Sequence, residues 1–267
     1  MNRALQGADA IDTTRRFGGV SRLYGADGLL RLKAAHICVI GIGGVGSWAA
    51  EALARNAVGT ITLIDLDNIA ESNVNRQLHA IEGVFGKAKV TAMAERIQQI
   101  NPSVNVIEIE DFVSIENVAS LLNQQYDGVI DCIDDAKAKA AIANFCSTHQ
   151  IPLVVTGAAG GRLDATRIKQ ADLSQVTHDK LLAKVRNLLR RDYAFSMGDS
   201  QKSKSSKLGV QCVYSDEEVI RPEAVCDVEP DSSITGLNCA GYGSSVCVTA
   251  PFGFIAAGLL IKQLLKK

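Results

Sequence analysis

The sequence predicts an α/β protein with a doubly wound, mainly parallel sheet and an elaborated C-terminal part. Three observations predict it. Short apolar, β-branched runs alternate with helix-forming stretches from His36 to Thr156, a glycine-rich turn joins the first run to the first helix, and the alternation stops after Gly157. The 267 residues, 47% hydrophobic and 21% charged, suffice for one large core or one core with a small appendage.

After an N-terminal stretch that reads as irregular, His36 to Gly41 is a short apolar run ending at glycines, hence a buried strand. Trp48 to Ala57 has helix-forming composition, with Gly59 as its stop. Thr60 to Asp65 is the next strand and completes a β-α-β unit. A helix from about Lys87 to Ile100 is stopped by Asn101-Pro102 and followed by a strand at Val104 to Ile109 and a helix at Ile115 to Gln124. A strand at Gly128 to Cys132, a helix at Ala136 to His149 and a strand at Leu153 to Thr156 continue the pattern. In such a sheet the ligand lies at the carboxyl ends of the strands.

Beyond Gly157, Thr177 to Tyr193 reads as a basic amphipathic helix, 196–207 as a polar, low-complexity loop, and Val210 to Tyr214 as a strand. Thr235 to Ile261 carries no charged residue, which raises the question of membrane contact through 241–261. Pro251, Gly253 and Gly258 favour a buried glycine-rich loop entering a core helix instead. The chain divides into an N-terminal segment at 1–35, a Rossmann-like core at 36–170 and a C-terminal part at 171–267 that completes the sheet and binds substrate.

A net charge of -1 gives no global polyanion signal, so any nucleic-acid contact must come from a local cluster. Such a cluster exists: Lys180, Lys184, Arg186, Arg190, Arg191, Lys202, Lys204 and Lys207, with only Asp192 and Asp199 as acids inside the span. A solvated helix face and a phosphate-contact surface are weighed equally here. The seven cysteines form no C-x-x-C pair and no apolar leader follows Arg15-Arg16, which points to a reducing cytoplasm.

The glycine turn, Gly41-Ile42-Gly43-Gly44-Val45-Gly46, can bring backbone N–H groups to phosphates at a helix N-terminus. With Asp65 alone it would read as a dinucleotide site. Asp67, Asn73, Arg76, Gln77, Lys89 and the run Asp131-Cys132-Ile133-Asp134 change that reading. Hydride transfer needs no second cation or extra acid at the phosphates, whereas cleavage of a triphosphate does: Arg and Lys neutralise it and a carboxylate holds magnesium.

In this order and spacing, with Arg22 upstream, these residues resemble the adenylation domain of the ubiquitin-activating-enzyme-like superfamily, which includes the bacterial sulfur-carrier adenylyltransferases. The resemblance implies that Asp65 binds the ribose of ATP, that Asn73, Arg76 and Lys89 contact its phosphates, and that Asp134 holds Mg²⁺. It further implies that Arg22 is a finger inserted into the partner subunit's ATP site, hence a homodimer. The stretches Arg16 to Gly25, Thr156 to Gly161, Lys207 to Val210 and Asn238 to Gly243 look like those of the family's tRNA threonylcarbamoyladenosine dehydratases, over almost the whole chain. That subgroup implies ATP-dependent adenylation of the modified adenosine's carboxylate, followed by ring closure.

Two departures from the superfamily stand out. The two C-x-x-C zinc pairs of the sulfur-carrier activators are missing, so no zinc is expected, and Asp135 stands where the wider family usually has Asn. Cys239 lies in a segment matching the dehydratase pattern; a positioning role is favoured over a catalytic thioester, because an intramolecular ring closure needs no enzyme nucleophile. The alternatives are activation of a ubiquitin-like sulfur carrier's C-terminal carboxylate, an ATP-binding scaffold without turnover, and, remotely, an NAD-linked oxidoreductase. A sulfur-relay protein is carried as a candidate partner beside tRNA.

Overall fold

The computed structural model describes residues 12–195, 207–220 and 242–266. Seven strands form one sheet in the order β3-β2-β1-β4-β5-β7-β6. They are β1 (His36–Ile40), β2 (Thr60–Ile64), β3 (Asn105–Ile109), β4 (Gly128–Asp131), β5 (Leu153–Thr156), β6 (Ile168–Asp172) and β7 (Gln211–Ser215). All neighbours run parallel except β6 and β7, which pair antiparallel at one edge. Strand order reverses between β1 and β4, which places the ligand crevice of a doubly wound sheet at the carboxyl ends of those two strands.

The helices are α1 (Thr13–Ala34), α2 (Gly46–Arg55), α3 (Lys89–Ile100), α4 (Val118–Leu121), α5 (Ala136–Thr148), α6 (Lys180–Asp192) and α7 (Val246–Lys266). One face of the sheet packs against α2, α3 and α7 through Ile37, Val39, Leu53, Ile61, Met93, Phe252 and Leu260, all fully buried. The other face is covered by two groups, one of α4 and α5 with Cys38, Ile40, Val129 and Ile142, and one of α6 with Val155, Leu182, Leu189 and Cys212. By length and composition α7 could cross a membrane, with a mean hydropathy of 1.6, but 56% of its apolar window is buried in this fold, so here it is a core helix. Its Gly253 is required by close packing: a Cβ there would lie 2.5 Å from the Val45 carbonyl oxygen.

Three elements correct the expectations from sequence. The stretch before β1 is helical, not irregular: Asp12 caps α1 by accepting from Arg15 N–H at 2.9 Å, and the helix kinks at Phe17 and at Gly25, where φ is +80. The antiparallel edge strand β6 was not anticipated. The helix expected at Ile115 to Gln124 shrinks to the single turn α4, because the Asn117 side chain takes the Ser114 N–H and the Phe112 carbonyl, each at 2.7 Å, and so competes with helical pairing.

Candidate nucleotide site

Gly41 leaves β1 with φ +83, and a Cβ there would sit 3.0 Å from the Cys132 carbonyl carbon. At Gly46, the first residue of α2, a Cβ would lie 1.8 Å from the Gly41 carbonyl oxygen, so the helix can follow the strand this closely only with glycine. The turn therefore points the N-terminus of α2 at the crevice. Asp65, at the end of β2, fixes it: Oδ2 accepts from Ile42 N–H at 2.6 Å and Oδ1 from Asp67 N–H at 2.9 Å.

Lys89 begins α3 and is buried, with Nζ 2.6 Å from Asp67 Oδ2 and 3.7 Å from Asp65 Oδ1. Burial raises the Asp65 carboxyl above its ordinary range, and the Lys89 charge pulls it back. Lys89 thus lies at the rim of the glycine turn with its charge shared between two carboxylates.

The loop after β2 contributes the rest. Asn73 is buried and accepts from Ala70 N–H at 3.0 Å, which shapes the loop. Half-buried Arg76 donates from Nη1 to the Ser72 carbonyl at 2.7 Å and to Asn75 Oδ1 at 3.0 Å, while its own carbonyl accepts from Trp48 Nε1 at 3.0 Å. Its stem lies 3.1 Å from where a Cβ of Gly44 would be, so arginine and glycine turn are in contact. Gln77 is buried with Oε1 unpartnered, and its Nε2 lies 3.9 Å from the corresponding point at Gly43. His79 is 4% exposed with neither ring nitrogen paired; burial first and the Lys89 charge second push it down to about 4, so the ring is neutral at physiological pH.

On the β4 side, Asp131 is fully buried and Asp134 lies on the exposed turn that leads to α5. Asp135 caps α5 by accepting from Ala138 N–H at 2.7 Å, a role that Asn performs equally well. Among the described residues no group of three or more His, Cys, Asp or Glu is arranged to hold a metal unaided. One exposed carboxylate at the crevice still fits Mg²⁺, which is commonly held by one or two carboxylates together with substrate phosphates. Two clefts of about 380 and 690 Å³ lie on the opposite, amino edge of the sheet, lined for example by Pro152, Ile151 and Gln211, and contain none of these residues. The chemistry follows the carboxyl edge, because the charged and glycine residues converge there.

The remaining expected residues lie elsewhere. Arg22 is exposed on α1, whose Arg16 donates to the Ile100 carbonyl at 2.6 Å and whose Arg31 donates to the Leu264 carbonyl at 2.6 Å. Both anchors are at the C-termini of α3 and α7, and the Arg22 guanidinium lies along its own helix, 3.4 Å from where a Cβ of Gly18 would be. Lys180, Lys184, Arg190 and Arg191 are exposed on α6 and Lys207 is exposed nearby, with Arg191 Nε 2.6 Å from Asp192 Oδ1. Arg186 is separated from that group: it turns inward to the Leu173 and Val176 carbonyls. Lys202, Lys204 and Cys239 lie outside the described residues. Of the described cysteines, Cys38, Cys146 and Cys212 are buried; the half-buried Cys132 has its thiol pushed up to about 12 by burial, too high for a thiolate at neutral pH. Sequence reasoning missed His79, Trp48 and Lys139; only Trp48 carried a signal, as the chain's single tryptophan directly after the glycine turn.

The ThiF family matches residues 18–267 of this chain. A tRNA threonylcarbamoyladenosine dehydratase of Haemophilus influenzae is 48% identical over 254 residues, covering 95% of this chain and 94% of the relative. One from Escherichia coli is 45% identical over 258 residues, covering 95% and 94%. The crystal structure of the E. coli enzyme in complex with ATP matches with a TM-score of 0.85 at 43% identity, over 97% of this chain and 98% of that one. The glycine turn, the acids and the cations thus belong to an α/β protein with a doubly wound sheet, and the chain is a member of the ThiF family. Its near-full-length relatives within that family are tRNA threonylcarbamoyladenosine dehydratases.

Proposed function

We propose that this protein is an ATP-dependent dehydratase that converts threonylcarbamoyladenosine in tRNA to its cyclic form by adenylating the carboxylate. The carrying observation is the convergence of Lys89, Arg76 and Asp65 on the glycine turn, with Asp134 on the adjoining loop after β4, in a chain alike over nearly its full length to such dehydratases. That full-length likeness sets this reading above activation of a sulfur-carrier protein.

A carboxylate is a poor acyl donor because its oxide is a poor leaving group. In the proposed reaction a carboxylate oxygen attacks the α-phosphorus of ATP and pyrophosphate leaves. The neighbouring carbamoyl oxygen then attacks the activated carboxyl carbon, AMP departs with one former carboxylate oxygen, and an N–H proton is released. The backbone of Gly41–Gly46 cradles the phosphates, Asp65 holds the ribose, Asn73 and Gln77 orient the nucleotide, and Arg76 and Lys89 offset charge on the departing pyrophosphate. Asp134 would hold Mg²⁺, which would supply further neutralisation of the phosphate charge. The reaction also requires the site to align the carboxylate with the α-phosphorus and to keep water off the acyl-adenylate.

The protein acts as a homodimer in this account, with Arg22 serving the ATP site of the partner subunit; its exposure on α1 leaves it open to an interface. Lys180, Lys184, Arg190, Arg191 and Lys207 contact tRNA phosphates, joined by Lys202 and Lys204. Cys239 takes a positioning role, and the site of action is the cytoplasm. The test is AMP release that depends on tRNA carrying the modification; equal release with the unmodified tRNA would overturn the proposal.

A further inference from the structure

The Asp131–Lys139 pair is the one ion pair among the described residues with both side chains fully buried. Lys139 Nζ donates to Asp131 Oδ1 at 3.0 Å and to the Asp131 carbonyl at 3.3 Å. From β5, Thr156 Oγ1 donates to the same carbonyl at 3.2 Å, and Ile133 N–H donates to Asp131 Oδ1 at 3.1 Å. Asp131 Oδ2 is buried without a partner. Stability does not account for such a pair: desolvating two charges is costly, and packed apolar residues of similar size are often as stable or more so.

What the pair does is visible in the turn it closes. Asp131 is the last residue of β4, and Lys139 sits in the first turn of α5, its N–H bonded to the Asp135 carbonyl at 3.0 Å. The pair thus ties the two ends of the turn Cys132–Asp135, which carries Asp134, through the Lys139 ammonium, which bonds both the side chain and the carbonyl of Asp131. The same turn lies against the nucleotide loop: Cys132 N–H donates to the Ile40 carbonyl at 2.8 Å, and a Cβ on Gly41 would meet Cys132 at 3.0 Å. A shift of the turn therefore moves the acid and the phosphate cradle relative to each other.

We infer that the buried Asp131–Lys139 bond is a positioning device that holds Asp134 in register with the Gly41–Gly46 turn, so that a nucleotide-borne Mg²⁺ finds its carboxylate already placed. This rests on the adenylation reading for the role of the metal. Lys139 and Asp131 are positioning residues and touch no substrate. Groups that orient a metal's ligands typically change its affinity 10- to 100-fold when removed.

The test is the double variant Asp131→Leu with Lys139→Met, which removes one charge of each sign and leaves the net charge at the site unchanged. Thermal unfolding is expected to stay at or above the wild-type temperature. ATP binding without metal should be unaltered, while the Mg²⁺ concentration that half-saturates its enhancement of ATP binding rises by roughly 10-fold or more. A folded double variant with the wild-type Mg²⁺ requirement would overturn the inference. Should the apolar pair not fold, Asp131→Asn with Lys139→Gln serves, since the shorter amide cannot span the bond; the same rise is expected, and a wild-type value again overturns it. Failure of the wild-type protein to form AMP with modified tRNA would count against the dehydratase reading alone, because the binding measurement needs no turnover.

Discussion

Protonating His79 is a measurable load on the fold. Its ring is 4% exposed, neither nitrogen is paired, and burial, with the Lys89 charge as the second cause, lowers it from 6.5 to about 4. Between those values the unfolded chain binds the proton and the folded chain does not, so this contribution to stability is complete above pH 6.5 and is lost as pH falls toward 4. A difference of roughly 2.5 units at about 1.36 kcal/mol each corresponds to ~3 kcal/mol. Urea unfolding of the wild type between about pH 7 and pH 4.5 should show stability declining toward acid, and His79→Gln, which cannot titrate, should flatten that decline. An unchanged pH slope in the variant would refute the reasoning that a neutral, enclosed imidazole sits beside Lys89.

Lys89→Met should preserve the fold but weaken ATP binding by about 10- to 100-fold, the worth of one charge-assisted contact, as read by calorimetric titration; wild-type affinity would remove Lys89 from the phosphate site. Mixing Arg22→Ala chains with Asp134→Ala chains should restore part of the activity that each variant lacks, measured as AMP formation in verified heterodimers, and no recovery would argue against action across the interface. Replacing Lys180, Lys184 and Lys207 with Ala should weaken tRNA binding and flatten its salt dependence by about one unit of logarithmic slope or less per lost contact, with ATP affinity unchanged. Unaltered slope and affinity would make α6 a solvated face.

Much of this was legible because the informative features are local. Buried parallel strands read as continuous apolar runs, and the glycine turn is fixed by contacts within a few residues, such as the 1.8 Å approach at Gly46. What was illegible depends on placement. The strand β6, Ile-Lys-Gln-Ala-Asp, pairs on one side only and lies half in solvent, so it lacks an apolar run. Helix α1 carries Gly18, Gly19, Gly25 and Gly28 and buries little beyond Phe17 and Leu32, so neither propensity nor periodicity marks it. Lys139 shows the limit most clearly: Ala136-Lys137-Ala138-Lys139-Ala140 presents two lysines in like settings, of which Lys137 is exposed and Lys139 is fully buried. Helical phase relative to β4 alone tells them apart, and the sequence does not display it.

The central claim is that ATP cleavage here removes water from a tRNA nucleoside. Incubation with ATP, Mg²⁺ and tRNA bearing threonylcarbamoyladenosine, followed by nucleoside mass spectrometry, tests it directly. The account predicts a nucleoside lighter by one water, formed in step with AMP and absent when ATP is withheld. An unchanged nucleoside mass despite AMP formation, or an equal loss of water without ATP, would contradict it.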